Sequence, residues 1–306
     1  MRLTLRQLQI FRAVSVSGST SAAASNLGLS QSATSAALNE LERGLDAQLF
    51  DRVGKRLVLN DSGRTLLPAA LTVLDGARSI ETAFHTGASD VPTDLRIVAS
   101  TTIGNYLLPQ ILARYLGGHP HARFELRIGN TRDVANAVGK FDADMGLIEG
   151  PCHEPDLLLS PWRTDELVIV AAPTHPLSIA AKRRPVTARE LRAVRWLLRE
   201  AGSGTREAVE HALLPHLGHL GSAMILGSSE AIKYAAAEGL GLSCLSRCVV
   251  HDLIANQRLR VLATRLPRLT RRFSLIYHRN KVLSASLASF IEHCHDVADP
   301  QASPNR

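Results

Sequence analysis

The chain has 306 residues, of which 45% are hydrophobic, and its formal net charge at pH 7 is +7. This length allows two or three domains with cores of their own, and the excess of basic residues favours an anionic partner. No run of about eighteen apolar residues occurs, and the N-terminal segment lacks the apolar core and cleavage site of a signal peptide. The sequence therefore predicts a soluble, cytoplasmic protein with no membrane partner.

The first predicted element is a helix over residues 5–17. Leu5, Leu8, Phe11 and Val14 recur at helical spacing, and Gly18 follows as a stop. We expect this helix to pack beneath the segment that follows it.

Residues 20–45 predict two short helices joined by a tight turn. Residues 20–26 are rich in alanine, Gly28 suits the turn, and Ser30 can cap a second helix over residues 31–43. We expect its inward side to carry Ala33, Ala37, Leu38 and Leu41. Its outward side has no charge before Glu40 and carries small hydrogen-bonding groups, namely Gln31, Ser32, Thr34, Ser35 and Asn39. Such a face favours contact with base edges and phosphates, and the alternative is an ordinary helical hairpin.

A short hairpin is predicted next, with its turn at residues 53–55 and a strand over residues 57–59. It concentrates three cations, Arg52, Lys55 and Arg56. A basic wing of this kind can lie along a phosphate backbone or enter a minor groove, whose negative potential attracts arginine and lysine.

A long helix is predicted from Ser62, as its N-cap, to about residue 86. Its apolar residues alternate four and three positions apart, at Leu66, Ala70, Val73, Ala77, Ile80 and Phe84. This heptad pattern favours pairing with the same helix of a second chain, and burial within its own domain is the alternative. Small residues and a proline over residues 88–93 then predict a hinge.

From Leu95 onwards, short apolar runs alternate with helical stretches, as in α/β domains. Strands are predicted around residues 95–100, 124–129, 143–150, 167–173, 195–200, 223–228 and 241–246. Helices are predicted over residues 105–116, 133–140, 205–216 and 230–238. The richness of the runs in Val, Ile and Leu favours parallel strands covered on both faces, which bind ligands at their carboxyl ends.

Hydroxyl groups follow several of these strand ends. They stand at Ser100, Thr101 and Thr102, at the loop Gly202, Ser203, Gly204 and Thr205, and at Ser228. Hydroxyls beside the free N–H groups of a helix N-terminus can bind a small anion, and plain N-capping is the alternative.

Glu149 falls at another strand end. If it lies in the same pocket, it can accept a hydrogen bond from an anion that retains a proton, so we predict selection of a monoprotonated oxyanion. Pairing with an arginine such as Arg206 is the alternative.

Other features argue against catalysis and metal binding. The chain has no nucleophile elbow, Walker lysine, zinc-protease motif or complete dinucleotide fingerprint, so we predict no enzyme and no cofactor. Cys152, Cys244, Cys248 and Cys294 are too scattered for a disulfide framework, and the spacing of Cys244 and Cys248 is a weak metal signal. Cys152 is interpreted as a buried small side chain, with a sensor thiol as the alternative. The basic clusters at residues 182–199 and 258–279 are interpreted as solvated surface.

The sequence resembles LysR-type transcriptional regulators over essentially its whole length. The residues from TLRQLQIF to SGRTLLP resemble their winged helix-turn-helix, and STTIGNYLLPQILARY, IEGPC, REAGSGTREAVE and GSSEAIKYAAAEGLGLSCLSR resemble the effector domain of the YeiE subgroup. The resemblance implies an all-α winged helix-turn-helix over residues 1–60, a dimerisation helix over residues 61–87, the hinge at residues 88–93 and an effector-binding domain over residues 94–306. That last domain would be of periplasmic-binding-protein type, with α/β subdomains over about 94–164 plus 266–298 and over 165–265.

The family's contact positions carry over onto matching residues. DNA contacts are implied for Thr20, Gln31, Ser32, Ser35, Arg52, Lys55 and Arg56. Effector contacts are implied for Ser100, Thr101, Thr102, Asn130, Thr131, Glu149, Gly202, Ser203, Gly204, Thr205 and Ser228. Many members have proline at position 32 and arginine at position 36, where this chain has Ser32 and Ala36, so more phosphate anchoring is expected from the wing.

The resemblance further implies double-stranded DNA as a partner, a homodimer through the 62–86 helix, a homotetramer, and sulfite or a related oxyanion as effector. The competing hypothesis is a solute-binding module with a helical N-terminal extension. Mutation of Gln31 and Ser35 distinguishes the two, because only a regulator would lose operator preference.

Overall fold

The computed structural model describes residues 3–54, 56–85 and 93–298. These form two compact units. The first comprises residues up to Thr93 together with Asn280–Ala288, and the second comprises Asp94–Arg279 together with the residues from Ser289 onwards. The hinge predicted at residues 88–93 lies outside the described residues except for Thr93, and the predicted domain boundaries stay predictions. No helix in the described ranges has both the length and the apolar character needed to cross a membrane.

The first unit contains a three-helix core, a two-stranded wing and a long helix. Its elements are α1 (Leu5–Ser17), α2 (Thr20–Leu27), α3 (Gln31–Leu45), β1 (Phe50–Val53), β2 (Arg56–Leu59) and α4 (Asp61–His85). Of the four apolar residues whose spacing predicted α1, Leu8, Phe11 and Val14 are buried, whereas Leu5 at the first turn is 44% exposed. Gly18 and Gly28 take the left-handed conformation that ends α1 and α2. The predicted helices of the helix-turn-helix are thus confirmed.

The long helix differs from its prediction in two respects. Its cap is Asn60, whose Oδ1 accepts a 2.9 Å hydrogen bond from Gly63 N, and not Ser62. It also has two apolar sides. Leu67, Ala70, Leu71 and Leu74 are buried within the unit, whereas Val73 and Ile80 are 46% and 63% exposed. Part of the predicted heptad pattern is therefore used inside the chain's own domain. The side chain of Phe84 lies outside the described residues.

The elements of the second unit are named in two groups, lobe I and lobe II, which correspond to the two predicted subdomains, and that division stays a prediction. Lobe I contains β3 (Asp94–Ser100), α5 (Thr101–Tyr106), α6 (Leu108–Gly118), β4 (Arg123–Gly129), α7 (Thr131–Gly139) and β5 (Met145–Glu149). Lobe II contains α8 (Pro176–Ala180), α9 (Ala188–Arg192), β7 (Trp196–Leu198), α10 (Gly204–Leu217), β8 (Ala223–Ile225), α11 (Ser229–Ala237), β9 (Ser243–Ser246), α12 (Arg247–Ala255) and β10 (Arg260–Val261). The strands β6 (Leu157–Ala171) and β11 (Leu269–His278) run through both lobes, and α13 (Ala285–Ala298) follows.

The sheet is mixed, which corrects the prediction of parallel strands. Seven strands form one sheet in the order β10-β6-β11-β5-β3-β4, with β9 also paired to β6, and β7 and β8 form a separate pair. Pairing is parallel between β3 and both of its neighbours and between β7 and β8, and it is antiparallel elsewhere in this unit's ladders. Within the antiparallel ladder of β6 and β11 the register shifts between Phe273 and Ser274, so that Trp162 has no opposite residue.

The hydrophobic cores lie on the faces of these strands. In lobe II one core surrounds Trp196 and Leu213 and a second surrounds Leu197 and Val249. In lobe I a core forms between α7 and the sheet around Val134 and Ile276. Because the faces of the sheet are covered by these cores, the strand ends are the place where polar side chains can meet.

Candidate nucleic-acid interface and effector cleft

The exposed side of α3 carries a row of uncharged polar groups. Gln31 Nε2 donates to Ser35 Oγ on the same helix (3.1 Å) and to Thr20 Oγ1 on α2 (3.4 Å), and Ser32 and Asn39 are exposed nearby. The residues Thr20, Gln31 and Ser35 therefore share one surface, whereas Ser32 contacts Ser30 at 3.1 Å. Their amide and hydroxyl groups can both donate and accept hydrogen bonds, which is what readout of base edges requires.

Thr34 does not belong to this surface, and its predicted outward orientation is wrong. Its side chain is fully buried, and its Oγ1 donates to the backbone oxygen of Ser30 at 3.1 Å. Ala33, predicted inward, is exposed instead. Thr34 lies four and seven residues before the buried Leu38 and Leu41, on the same side of the helix. A buried threonine can satisfy its hydroxyl on the preceding turn.

The wing lies beside α3. In its ladder Arg52 is paired with Leu57 and Arg56 with Val53, and both arginines are exposed. An open hollow of about 610 Å³ between the wing and α3 is lined by Thr20, Gln31, Ser35, Arg52 and Arg56, among others. Lys55 lies outside the described residues, so its placement stays a prediction.

Two contacts fix the wing to the helices. Leu57 N donates to Gly18 O at 2.9 Å, and Leu49 N donates to the buried carboxylate of Glu42 on α3 at 2.8 Å. The wing arginines are therefore held at a constant distance from the polar row, as a surface that contacts phosphates and bases together requires.

A second candidate site lies at the carboxyl ends of β3, β4 and β5. In register, Ser100 is opposite Gly129, and Glu149 ends the strand on the other side of β3. Asn130 caps α7, where its Oδ1 accepts from Asp133 N at 3.0 Å, and Thr131 Oγ1 donates to Glu149 O at 3.0 Å. The lobe I residues predicted for effector contact are thus brought together.

Lobe II brings a loop of small residues against this edge. The N–H of Arg132 donates to Gly202 O at 3.1 Å, and a Cβ on Gly204 would lie 1.5 Å from Glu149 O. Gly202 has φ +88°. Glycine at these positions therefore lets the two backbones meet.

The hydroxyls of the predicted anion site are used in different ways. Ser203 and Ser228 cap α10 and α11 through bonds from Arg206 N (3.5 Å) and Ala231 N (3.4 Å), in agreement with the capping alternative. Ser100 is different because its Oγ makes no capping bond. Ser229, the second hydroxyl after this strand end, is buried, and its Oγ accepts from Arg199 Nη1 at 3.0 Å.

A buried arginine on β11 connects the two lobes. The guanidinium of Arg271 donates to Asp165 (2.7 Å), to Thr205 Oγ1 (2.9 Å) and to Thr102 Oγ1 (3.3 Å). Its side chain is 2% exposed, which corrects the interpretation of the 258–279 cluster as solvated surface at this position. Burial by itself lowers the pKa of Arg271, but the charges of Glu149 and Asp165 outweigh it and raise that pKa above its ordinary value.

The partner of Glu149 is Arg271, and not Arg206 as the alternative suggested. Arg271 Nη2 lies 2.8 Å from Glu149 Oε2, but the N–H is not aligned for a hydrogen bond. Arg206 contacts Glu210 instead, at 2.9 Å. Among the described residues, the buried side-chain oxygens without a hydrogen bond are Glu149 Oε2, Ser100 Oγ and Ser178 Oγ, and the first two lie at this cleft.

A second arginine that the sequence interpretation assigned to solvated surface lies at the cleft. Arg199 follows β7, its side chain is 2% exposed, and it donates two 2.8 Å hydrogen bonds to the carboxylate of Glu200. Asn130 Nδ2 of lobe I donates to the same carboxylate at 3.3 Å. The arginines of the cleft thus face acidic groups from both lobes. Arg199 directly follows the apolar run Trp196, Leu197 and Leu198, all buried, and this run was a signal for its burial.

Burial governs the chemistry of the cysteine thiols. It raises the pKa of Cys244 and of Cys294 to about 12, and it also raises that of the half-buried Cys152. A raised thiol pKa disfavours the reactive thiolate at neutral pH. The side chain of Cys152 is thus less enclosed than predicted, and its raised pKa argues against the sensor alternative.

Comparisons with known proteins agree with this architecture. Residues 5–64 match the family described as bacterial regulatory helix-turn-helix protein, lysR family, and residues 90–299 match the LysR substrate binding domain. The chain is similar to the uncharacterized HTH-type transcriptional regulator YeiE of Escherichia coli K12, with 50% identity over 301 residues that cover 98% of this chain and 100% of the relative. It is also similar to the HTH-type transcriptional regulator CysL of Bacillus subtilis, with 32% identity over 88% of this chain and 89% of the relative.

A solved structure shows the same fold along the whole chain. A cysteine-to-aspartate variant of full-length OxyR from Pseudomonas aeruginosa superimposes with a TM-score of 0.75 at 21% identity, covering 99% of this chain and 100% of that one. The relatives are named as regulators and not as enzymes. The match over residues 5–64 also argues against a solute-binding module with a mere helical extension. The chain therefore belongs to the LysR family, as a DNA-binding transcriptional regulator with an effector-binding domain.

Proposed function

We propose that this regulator reads its operator with the polar row of α3 and with its wing, and that a small oxyanion bound between lobes I and II sets its activity. The family assignment supplies the DNA-binding and effector-binding roles. The residues, the effector and the assembly are the parts proposed.

For DNA, the proposal divides the contacts between two surfaces. Gln31 and Ser35 are uncharged and adjacent, so they would read base edges, whereas Arg52 and Arg56 would contact phosphates. Alanine at Gln31 or Ser35 should reduce the preference for operator over unrelated DNA. Alanine at Arg52 or Arg56 should weaken binding to all DNA and lower the salt slope of log K by about 1.

For the effector, the observation that carries the proposal is Ser100 Oγ, a buried hydroxyl without a hydrogen bond, at the same edge as Glu149, whose Oε2 has an ion pair with Arg271 but no aligned hydrogen bond. A buried hydroxyl without a hydrogen bond is unfavourable, so a ligand that bonds it gains affinity. The serine hydroxyl can donate to an oxyanion, and the carboxylate can accept only from a group that has a proton. A monoprotonated oxyanion such as hydrogen sulfite satisfies both. Sulfite itself is suggested by the resemblance to the YeiE subgroup.

The assembly proposed is a homodimer through α4, within a homotetramer. The exposed Val73 and Ile80 lie seven residues apart on that helix, which is the heptad spacing of a paired helix. Two readers would then contact two half-sites of the operator. Because its proposed target is operator DNA, we place the regulator in the cytoplasm.

The experiment is thermal unfolding of the full chain with sulfite, sulfate, phosphate, thiosulfate and small carboxylates. A ligand that binds only the folded state raises the midpoint. We expect one oxyanion to do so in the wild type and to lose most of its effect in Ser100→Ala. Ser178→Ala is the matched control, because Ser178 Oγ is also buried and unpaired but lies on α8, away from the cleft.

The pH dependence tests the protonation state. Stabilisation should follow the monoprotonated fraction of the anion, so it should weaken as the pH rises through the anion's own pKa. If the fully deprotonated form bound best, selection by Glu149 would be wrong. If no oxyanion shifted the midpoint, the oxyanion effector would be wrong and the family assignment would stand.

A further inference from the structure

Access to Arg199 is obstructed by the protein itself. The arginine side chain is 2% exposed, whereas that of Glu200 beside it is 28% exposed. An anion that reaches Arg199 therefore has to take the place of a group that already contacts it, and the carboxylate of Glu200 is nearest to solvent.

The carboxylate of Glu200 has the geometry of a bound oxyanion. Its two oxygens accept in parallel from Nε and Nη2 of Arg199, each at 2.8 Å. Carboxylates, sulfur oxyanions and phosphates all bind a guanidinium in this two-pronged way, because pairs of their oxygens match its fork of N–H groups. Glu200 thus presents to Arg199 the same pair of acceptors that an effector would.

The same carboxylate is held from the opposite lobe. Asn130 Nδ2 donates to Glu200 Oε1 at 3.3 Å, and the Oδ1 of that amide is occupied by Asp133 N, which fixes its orientation. Arg199 also reaches across, since its Nη2 lies 3.5 Å from Thr101 Oγ1. A ligand between the lobes would be expected to bond the same groups.

We propose that Glu200 is a built-in competitor of the effector, and that the oxyanion binds by displacing its carboxylate from Arg199 and Asn130. This inference rests on the oxyanion effector proposed above. Under this proposal Arg199 binds the effector directly. The effector must then be an anion with at least two oxygens, because a single halide ion cannot accept from Nε and Nη2 of Arg199 in the way that two oxygens do. It also means that the unliganded cleft is already bridged by an acidic group.

The competitor is charged at neutral pH. Burial raises the pKa of Glu200, but the hydrogen bonds from Arg199 and Asn130 and the arginine charge outweigh burial and hold that pKa below its ordinary value. Competition by Glu200 should therefore be equally strong at about pH 6 and at about pH 8. Competition by Glu200 can therefore be told apart from selection by Glu149, because only selection by Glu149 changes with the protonation state of the ligand.

The test is calorimetric titration of the full chain with sulfite and with sulfate, in the wild type, Glu200→Gln and Glu166→Gln. The last is a matched control, since Glu166 is also 28% exposed and paired with an arginine, Arg247, but lies on β6. We expect Glu200→Gln to bind the oxyanion about threefold to tenfold more tightly, by the same factor at both pH values, and Glu166→Gln to bind as the wild type does. Chloride should show no gain.

A second variant keeps the test decisive if Glu200→Gln folds poorly. Glu200→Asp retains the charge, but its shorter side chain cannot contact Arg199 and Asn130 together, so it should give a smaller gain in affinity. Unchanged or weaker binding in both variants, with binding by the wild type, would overturn the competitor and leave the oxyanion effector standing. Absence of oxyanion binding in all variants would overturn both.

Discussion

Replacing Arg271 by methionine should destabilise the second unit by about 3–5 kcal/mol, the usual effect of breaking a buried ion pair from one side. The substitution removes the guanidinium that lies 2.7 Å from Asp165 and 2.8 Å from Glu149. Those two carboxylates are 9% and 2% exposed, so water cannot replace the lost charge. The magnitude follows from their burial and not from the number of contacts.

A triple variant tests whether charge is the cause. Adding Glu149→Gln and Asp165→Asn to Arg271→Met removes the unpaired charges, so most of the lost stability should return. Arg247→Met serves as a control, because its side chain is 49% exposed beside Glu166 and its removal should change stability by about 1 kcal/mol or less.

Urea unfolding followed by tryptophan fluorescence is the assay. Both tryptophans of the chain, Trp162 and Trp196, lie in the second unit, so the signal reports on that unit. A loss below about 1 kcal/mol in Arg271→Met would refute the reasoning, because it would place the carboxylates in contact with water. An equal loss in the single and triple variants would refute it as well, because packing would then be the cause.

Three further substitutions test other parts of the structure. Thr34→Val should lower the free energy of unfolding by about 0.5–1.5 kcal/mol, because it loses a hydrogen bond. It should leave operator preference intact in DNA titrations. Equal losses of preference in Thr34→Val and Ser35→Ala would contradict the burial of Thr34. Gly204→Ala should abolish stabilisation by the oxyanion, because its Cβ would lie 1.5 Å from the backbone oxygen of Glu149 in lobe I. Gly139→Ala is the control and should keep that stabilisation, because its Cβ would meet nothing within 4 Å. His175 caps α8 through an unprotonated Nδ1, and burial lowers its pKa below 6.5, so the unfolded chain takes up the proton first. Stability should therefore fall as the pH drops below about 6.5, and His175→Asn should flatten that dependence, whereas an unchanged slope would show that the cap does not titrate.

Local patterns predicted the first unit well because its elements depend on neighbours in sequence. The spacing of Leu8 and Phe11 and the glycines at positions 18 and 28 determined helices and turns that the structure contains. Rotation of α3 was less predictable. Thr34 is buried because Leu38 and Leu41 fix the inward side of the helix, and a threonine is equally compatible with either side until those contacts are known.

The residues that meet at the cleft could be predicted from the sequence, but its buried arginines were overlooked. Hydroxyls after strands and the glycine loop predicted residues that the structure brings together at one edge of the sheet, since parallel strands end together. Arg271 was overlooked because an arginine in a basic stretch has the same local sequence whether exposed or buried. For Arg199 the apolar run before it was a signal that the interpretation did not use. The burial of Arg271 depends on Glu149 and Asp165, which lie more than a hundred residues away in sequence. The strand β11 was missed for the same reason, because its arginines interrupt the apolar pattern.

The register shift between β6 and β11 has a mechanical consequence for the lobes. They are connected through a continuous two-stranded ribbon and not only through loose linkers, and Trp162 is the extra residue at which that ribbon bends. An extra residue increases the local right-handed twist of a two-stranded ribbon. We therefore expect the strands of this ribbon to change direction at Trp162, so the bulge determines the angle at which the ribbon passes from one lobe to the other.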